Sequence, residues 1–92
     1  MATEYVLDGS RVTSLQTFLG EMDRALSKPV GHFSNLDWLQ DILSGGVEGI
    51  PDNGITVRWI HSEQSLQHLG VQLFDKLRQL LEEIANVNLL LQ

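Results

Sequence analysis

Asp37 and Asp41 stand four residues apart in the run Asn35-Leu36-Asp37-Trp38-Leu39-Gln40-Asp41-Ile42-Leu43. On a helix that spacing sets both carboxylates on one face. Two chemistries are open to such a pair: general acid-base catalysis, or charge complementarity to a basic partner. Catalysis needs one carboxyl kept protonated near neutral pH, which takes burial or a close like charge. Leu36, Leu39, Ile42 and Leu43 claim the buried side of the helix, so the aspartates fall on the solvent side, where binding is the better use for them. Asp37, near the helix start, has the plain alternative of a charge that favours the helix dipole, worth about 0.3 to 1 kcal/mol. Asp41 has no such alternative, because aspartate in mid-helix is a mediocre helix former.

Other chemistry-bearing residues assemble into no motif. His32, His61 and His68 include no i, i+4 pair and have no cysteine beside them, so neither a metal nor a cofactor is expected. Gly45-Gly46 follows a helix instead of opening one and is no phosphate cradle. Twelve acidic residues against six basic give a net charge of -6, which repels nucleic acid phosphates and anionic lipid headgroups. Direct nucleic acid and membrane partners are therefore not expected; a partner recognised by charge is basic. The surplus is local, since between Lys28 and Arg58 there is no basic residue while Asp37, Asp41, Glu48 and Asp52 are acidic.

The length, 92 residues, predicts one domain over 1–92 with a single core, too small to spare the interior for a deep active site. Without cysteine there is no disulfide, thiol nucleophile or thiolate metal site. The first residues lack a basic and then apolar leader, and no apolar run nears the roughly 18 residues of a membrane span. A cytoplasmic protein that acts through its surface, and not an enzyme, is the expectation.

The elements that must position the aspartates follow from periodicity and turn chemistry. Residues 4–8 read as a strand closed by Asp8-Gly9. Thr13 with Gln16 predicts a capping box, followed by a helix with Val12, Leu15, Phe18, Leu19, Met22 and Leu26 along one stripe. Pro29 and Gly31 end it. A second helix of about ten residues starts at Ser34 or Asn35, both good N-caps, and stops at Gly45-Gly46. After a loop over 47–54, residues 55–60 alternate as a strand, with Ile55, Val57 and Trp59 on a buried face. A short helix over 62–69 capped by Ser62, a break at Gly70, and an amphipathic helix over 71–85 precede a last strand, 87–91, apolar enough to be covered on both faces. The order βααβααβ implies an α/β fold, with a three-stranded parallel sheet packed with about four helices. On the helical wheel Trp38 falls outside the leucine stripe, beside Asp41, as an interface anchor would. His32 and Phe33, before the helix, either touch a partner or pack down as a staple.

The run from Asn35 to Gly45, Asn-Leu-Asp-Trp-Leu-Gln-Asp-Ile-Leu-Ser-Gly, resembles the second-helix signature of the barstar family, intracellular protein inhibitors of secreted ribonucleases of the barnase type. Asn35, Leu36, Asp37, Leu39, Asp41, Leu43 and Gly45 meet that pattern, and Arg58-Trp59 with the following Ser62-Glu63-Gln64-Ser65 extends the likeness downstream. The resemblance implies a small, three-layer-like barstar-type fold. It also implies that the helix and the loop before it plug a basic ribonuclease, with carboxylates where RNA phosphates would lie. Carried over by position, Asp41 is the principal carboxylate and Asp37 the supporting one; Asn35 and Leu36 flank them, with Ser44 and Gly45 at the far end. Trp38 stands where the family has alanine, Gln40 where it has tryptophan, and Gln79 where a late helix contributes glutamate. Those departures leave room for a second expectation: the same fold as an interaction module for a partner that is not a nuclease.

Overall fold

The computed structural model describes residues 3–44 and 54–92. Its elements are β1 (Thr3–Asp8), a single 3-10 turn (Gly9–Arg11), α1 (Leu15–Ala25), α2 (Leu36–Leu43), β2 (Ile55–Ile60), α3 (Ser62–Leu69), α4 (Val71–Glu83) and β3 (Val87–Leu91). The strands lie in the order β1-β2-β3, all parallel, with Leu7 and Leu91 flanking Trp59 and with Tyr5 and Leu89 flanking Val57. Parallel neighbours cannot be joined by hairpins, so each connection carries a helix pair. The α/β class, the three parallel strands and the four helices are as the sequence predicts. The layering is one-sided. Ile55, Val57 and Trp59 are buried while Thr56, Arg58 and Ile60 on the opposite face stay half-exposed, so the core lies against one face of the sheet instead of between three full layers.

That core joins Leu7 and the three β2 residues to Phe18, Leu19 and Met22 of α1, Leu39, Ile42 and Leu43 of α2, and Phe74, Leu77 and Leu81 of α4. Trp59 is its centre, with ring centroids 5.6 Å from Phe18 and 5.1 Å from Phe74, spacings at which tilted aromatic pairs attract. Its indole N–H donates to the Ser65 hydroxyl at 2.9 Å, and that hydroxyl donates to the Gly9 carbonyl at 2.8 Å. A buried indole thus finds its acceptor through one serine.

Several local expectations are corrected. The cap of α1 is Ser14, not Thr13, and Thr17 rather than Gln16 returns the bond to complete the box. A short hydroxyl side chain three residues on serves as well as the longer glutamine. Ser62 is not the cap of α3. His61 holds the cap position with φ 52°, while the Ser62 amide and hydroxyl both donate to the Gln92 carbonyl at 2.9 Å, tying α3 to the end of β3. Nor is β3 covered on both faces: it is an edge strand, with Leu90 and Leu91 41% and 42% exposed. The α2 helix runs eight residues, and its expected stop at Gly45-Gly46 and most of the 47–54 loop, with Glu48 and Asp52, lie outside the described residues.

Two stability predictions arise from the first βα connection. Gly20 lies inside α1, exposed, and a Cβ added there would meet nothing within 4 Å. Gly20→Ala should therefore raise stability by about 0.5 to 1 kcal/mol, through lower unfolded-state entropy alone, read as a higher denaturation midpoint with an unchanged slope. Asp8 caps the 3-10 turn, accepting from the Ser10 hydroxyl at 2.7 Å and the Ser10 amide at 3.0 Å. The Ser10 hydroxyl bond chiefly, aided by the Ser10 amide, His61 and Arg11, holds its carboxyl below the usual aspartate value. A carboxyl whose folded value is lowered gives stability that is present above its unfolded value and is lost as pH falls through the folded one. Asp8→Asn should flatten the acid limb of the stability profile, as measured by denaturation at a series of pH values below 5 or so.

Candidate functional site

The α2 helix begins where Asn35 turns the chain. Its side chain accepts from the Trp38 amide at 2.8 Å, satisfying one of the otherwise orphaned first-turn donors, and its carbonyl accepts the first i→i−4 bond of the helix from the Leu39 amide at 3.2 Å. With the register so fixed, Leu39, Ile42 and Leu43 are buried and Leu36 is half-buried against the core. Asp37, Trp38 and Asp41 then fall on the outer side, all exposed, with Trp38 40% exposed. The Ser44 hydroxyl donates to the Gln40 carbonyl within the helix, at 2.8 Å. At the far end the Asn86 side-chain amide donates to the Leu43 carbonyl at 3.2 Å, and the Asn86 carbonyl accepts from the Ile55 amide at 2.8 Å. One residue before β3 thereby anchors both the end of α2 and the start of β2. Nothing in its local sequence announces that role.

The α2 carboxylates stand outside the ion pairs of the described residues. Among the described residues, Arg58 pairs with Glu4, Arg11 with Asp8, Arg24 with Glu21, and Arg78 with Asp75 and Glu82. Neither Asp37 nor Asp41 takes part in any ion pair or side-chain hydrogen bond among the described residues. Two carboxylates with unused acceptors, one helical turn apart on an exposed face, repel each other mildly and attract any cation that approaches both.

The loop before the helix is more firmly built than its sequence suggests. Phe33 is only 2% exposed and belongs to the core, so of its two readings the structure has the packed-down one: its ring offers no surface to a partner. His32 stays half-exposed, with its ring 5.1 Å from Phe33 and 6.3 Å from Trp38. The exposed aromatic surface beside the aspartates is thus Trp38 with His32. Gln79 faces the same side of the molecule as Gln40, the two lining a shallow depression with Lys76, Leu80 and Glu83. Gly45, the last predicted contact, lies outside the described residues.

The family model described as Barstar (barnase inhibitor) matches residues 2–88. The chain belongs to the barstar family. Proteins of the barstar family are inhibitors and not enzymes, which gives this chain a barnase-inhibitor-like role at the family level and implies a ribonuclease as its protein partner in that coarse sense. No curated protein matches the chain. Among the described residues no helix is long and apolar enough to cross a membrane.

Proposed function

We propose that the chain binds the active site of a basic, barnase-type ribonuclease through α2 and the loop before it, with Asp41 and Asp37 taking the place of RNA phosphates. The observation that carries this reading is the state of those two carboxylates: exposed, on one face, and spent on no partner among the described residues, whereas all four arginines are each matched to an acid. A ribonuclease cleft must hold phosphodiesters with Arg, Lys and His, so an acidic helix steers association and forms charge pairs at the centre of the contact. Trp38 and His32 supply the apolar border, Asn35 and Leu36 fix the helix that carries them, and Ser44 and Gly45 close the far end. Cleavage of RNA by barnase-type ribonucleases, measured with and without the purified protein, tests the reading. Stoichiometric inhibition of at least one is expected; inhibition of none refutes it.

Exposed Trp38, where the family has alanine, favours one other reading: an interaction module that docks a partner that is not a nuclease on the same face. A partner captured from the source cell that is not a small basic nuclease would support that alternative.

A further inference from the structure

Asp23 is a carboxylate that the proposed interface does not use, and it is only 3% exposed. A charge so placed is costly unless hydrogen-bonded. Its Oδ2 accepts from the Gly31 amide at 3.0 Å and its Oδ1 from the Phe33 amide at 2.8 Å. Its backbone carbonyl accepts from the Lys28 amide at 2.8 Å, while the Ser27 amide donates to the Arg24 carbonyl at 3.1 Å. That last pair of bonds, with Ser27 at φ 57°, is a Schellman closure of α1 made with serine in place of the usual glycine. One residue of α1 therefore gathers three amides of the reversal that leads into α2. The two side-chain bonds go to alternate residues, 31 and 33, and so bracket His32. Gly31, at φ 83°, provides the turn that brings both amides round to the carboxylate.

We infer that Asp23 is the positioning residue of the inhibitory loop: it never touches the partner, and it holds 27–33 in the shape that presents His32 beside Trp38 before the partner arrives. This rests on the reading of that region as the inhibitory surface. A loop ordered in advance loses less entropy on docking, so removal of the carboxylate weakens binding without altering any contacting side chain. Phe33 supplies the apolar half of the same anchor from within the core.

The test compares Asp23→Ala, Asp23→Asn and a core control, Leu81→Val, all below the temperature at which any of them begins to unfold. Amide hydrogen exchange at Gly31 and Phe33 reports the loop, and exchange at Val57 in the central strand reports global opening. In Asp23→Ala the loop amides should exchange roughly tenfold faster or more, since charge-assisted bonds are the strong ones. Asp23→Asn, which keeps one acceptor oxygen and turns an NH2 donor toward the other amide, should fall between. Leu81→Val should accelerate Val57 while leaving the loop amides and the affinity for the inhibited ribonuclease as in the wild type. Affinity should fall roughly tenfold in Asp23→Ala, mainly through faster dissociation. Loop exchange and affinity in Asp23→Ala that match those of Leu81→Val would overturn the inference. If the wild type inhibits no ribonuclease, the proposed function fails; loop exchange then decides by itself, selective acceleration upholding the positioning role and its absence refuting it.

Discussion

Replacing Asp41 by alanine should weaken inhibition of the target ribonuclease by about 2 to 5 kcal/mol, roughly thirtyfold to several thousandfold in the inhibition constant, while the protein folds at least as well as before. The two halves of that expectation have separate causes. The Asp41 side chain is exposed and has no ion pair or hydrogen bond among the described residues, so its removal leaves no described group unsatisfied, and alanine is the better helix former by roughly 0.5 kcal/mol. In the complex the same carboxylate sits among the cations that would hold a phosphodiester, and truncation leaves them buried without a counter-charge. Asp37→Ala should behave differently. Asp37 lies in the first turn of α2, so its loss removes about 0.3 to 1 kcal/mol of helix stabilisation along with a supporting contact. Inhibition titrations beside denaturation curves separate the pair: Asp41→Ala weakens inhibition without loss of stability, whereas Asp37→Ala weakens both. Raising salt should slow association of the wild type more than that of either variant, because steering by these charges is screened over about 8 to 10 Å. Undiminished inhibition by Asp41→Ala would refute phosphate mimicry by this helix, whatever its effect on folding.

How far the sequence leads is set by how local each determinant is. The alternation of Ile55, Val57 and Trp59 sufficed to place β2, and its bounds agree with the structure, because a buried strand face is written in every second residue. The start of α2 was legible to within one residue, Ser34 or Asn35, of which the chain uses Asn35, and the outward face of Asp37 and Asp41 was legible from the leucine stripe. Where two hydroxyl residues stand in succession, as at Thr13-Ser14, the pattern cannot choose between them; the chain uses the second, since Thr17 is in reach to reciprocate. The run of leucines over 89–91 reads as a doubly covered strand, yet β3 lies at the sheet edge. Position in a sheet is a property of topology, and composition does not record it. Asp23 is the clearest miss at the site. In a list of helix residues it looks like a solvated charge, and only the returning loop, eight to ten residues on, buries it. Asn86 and the link between Ser65 and Gly9, 56 residues apart, are of the same kind: their partners are near only after folding.

Gly9→Ala should cost about 3 kcal/mol or more of folding stability, which makes it the most damaging single methyl group that the described structure can receive at a glycine. A Cβ at Gly9 would lie 2.5 Å from the carbonyl oxygens of both Ile60 and His61 and 2.6 Å from the Ser65 hydroxyl. Gly9 is not among the glycines with positive φ, so alanine could adopt its backbone angles, and the whole cost is steric. None of the three neighbours can yield cheaply. The two carbonyls belong to the end of β2 and to the left-handed turn at His61, where φ is 52°, a conformation a non-glycine residue already holds at some cost. The Ser65 hydroxyl is fixed by the Trp59 indole on one side and the Gly9 carbonyl on the other. Any shift that admits the methyl group therefore separates the 3-10 turn from α3 and breaks the path by which the central tryptophan is satisfied. Overpacking alone costs about 1 to 3 kcal/mol, and a buried donor left unsatisfied about 1 to 3 more. Denaturation of Gly9→Ala beside Gly20→Ala gives an internal contrast, since the same added methyl group lands in one case against two carbonyls and in the other in open space. The first should fall and the second should rise by about 0.5 to 1 kcal/mol. Because Gly9 lies outside the α2 face, whatever fraction of Gly9→Ala remains folded should still inhibit with the wild-type constant. A loss of less than about 1 kcal/mol would mean that the turn and α3 can part without disturbing Trp59, and the tight junction between them would then be incidental to the fold.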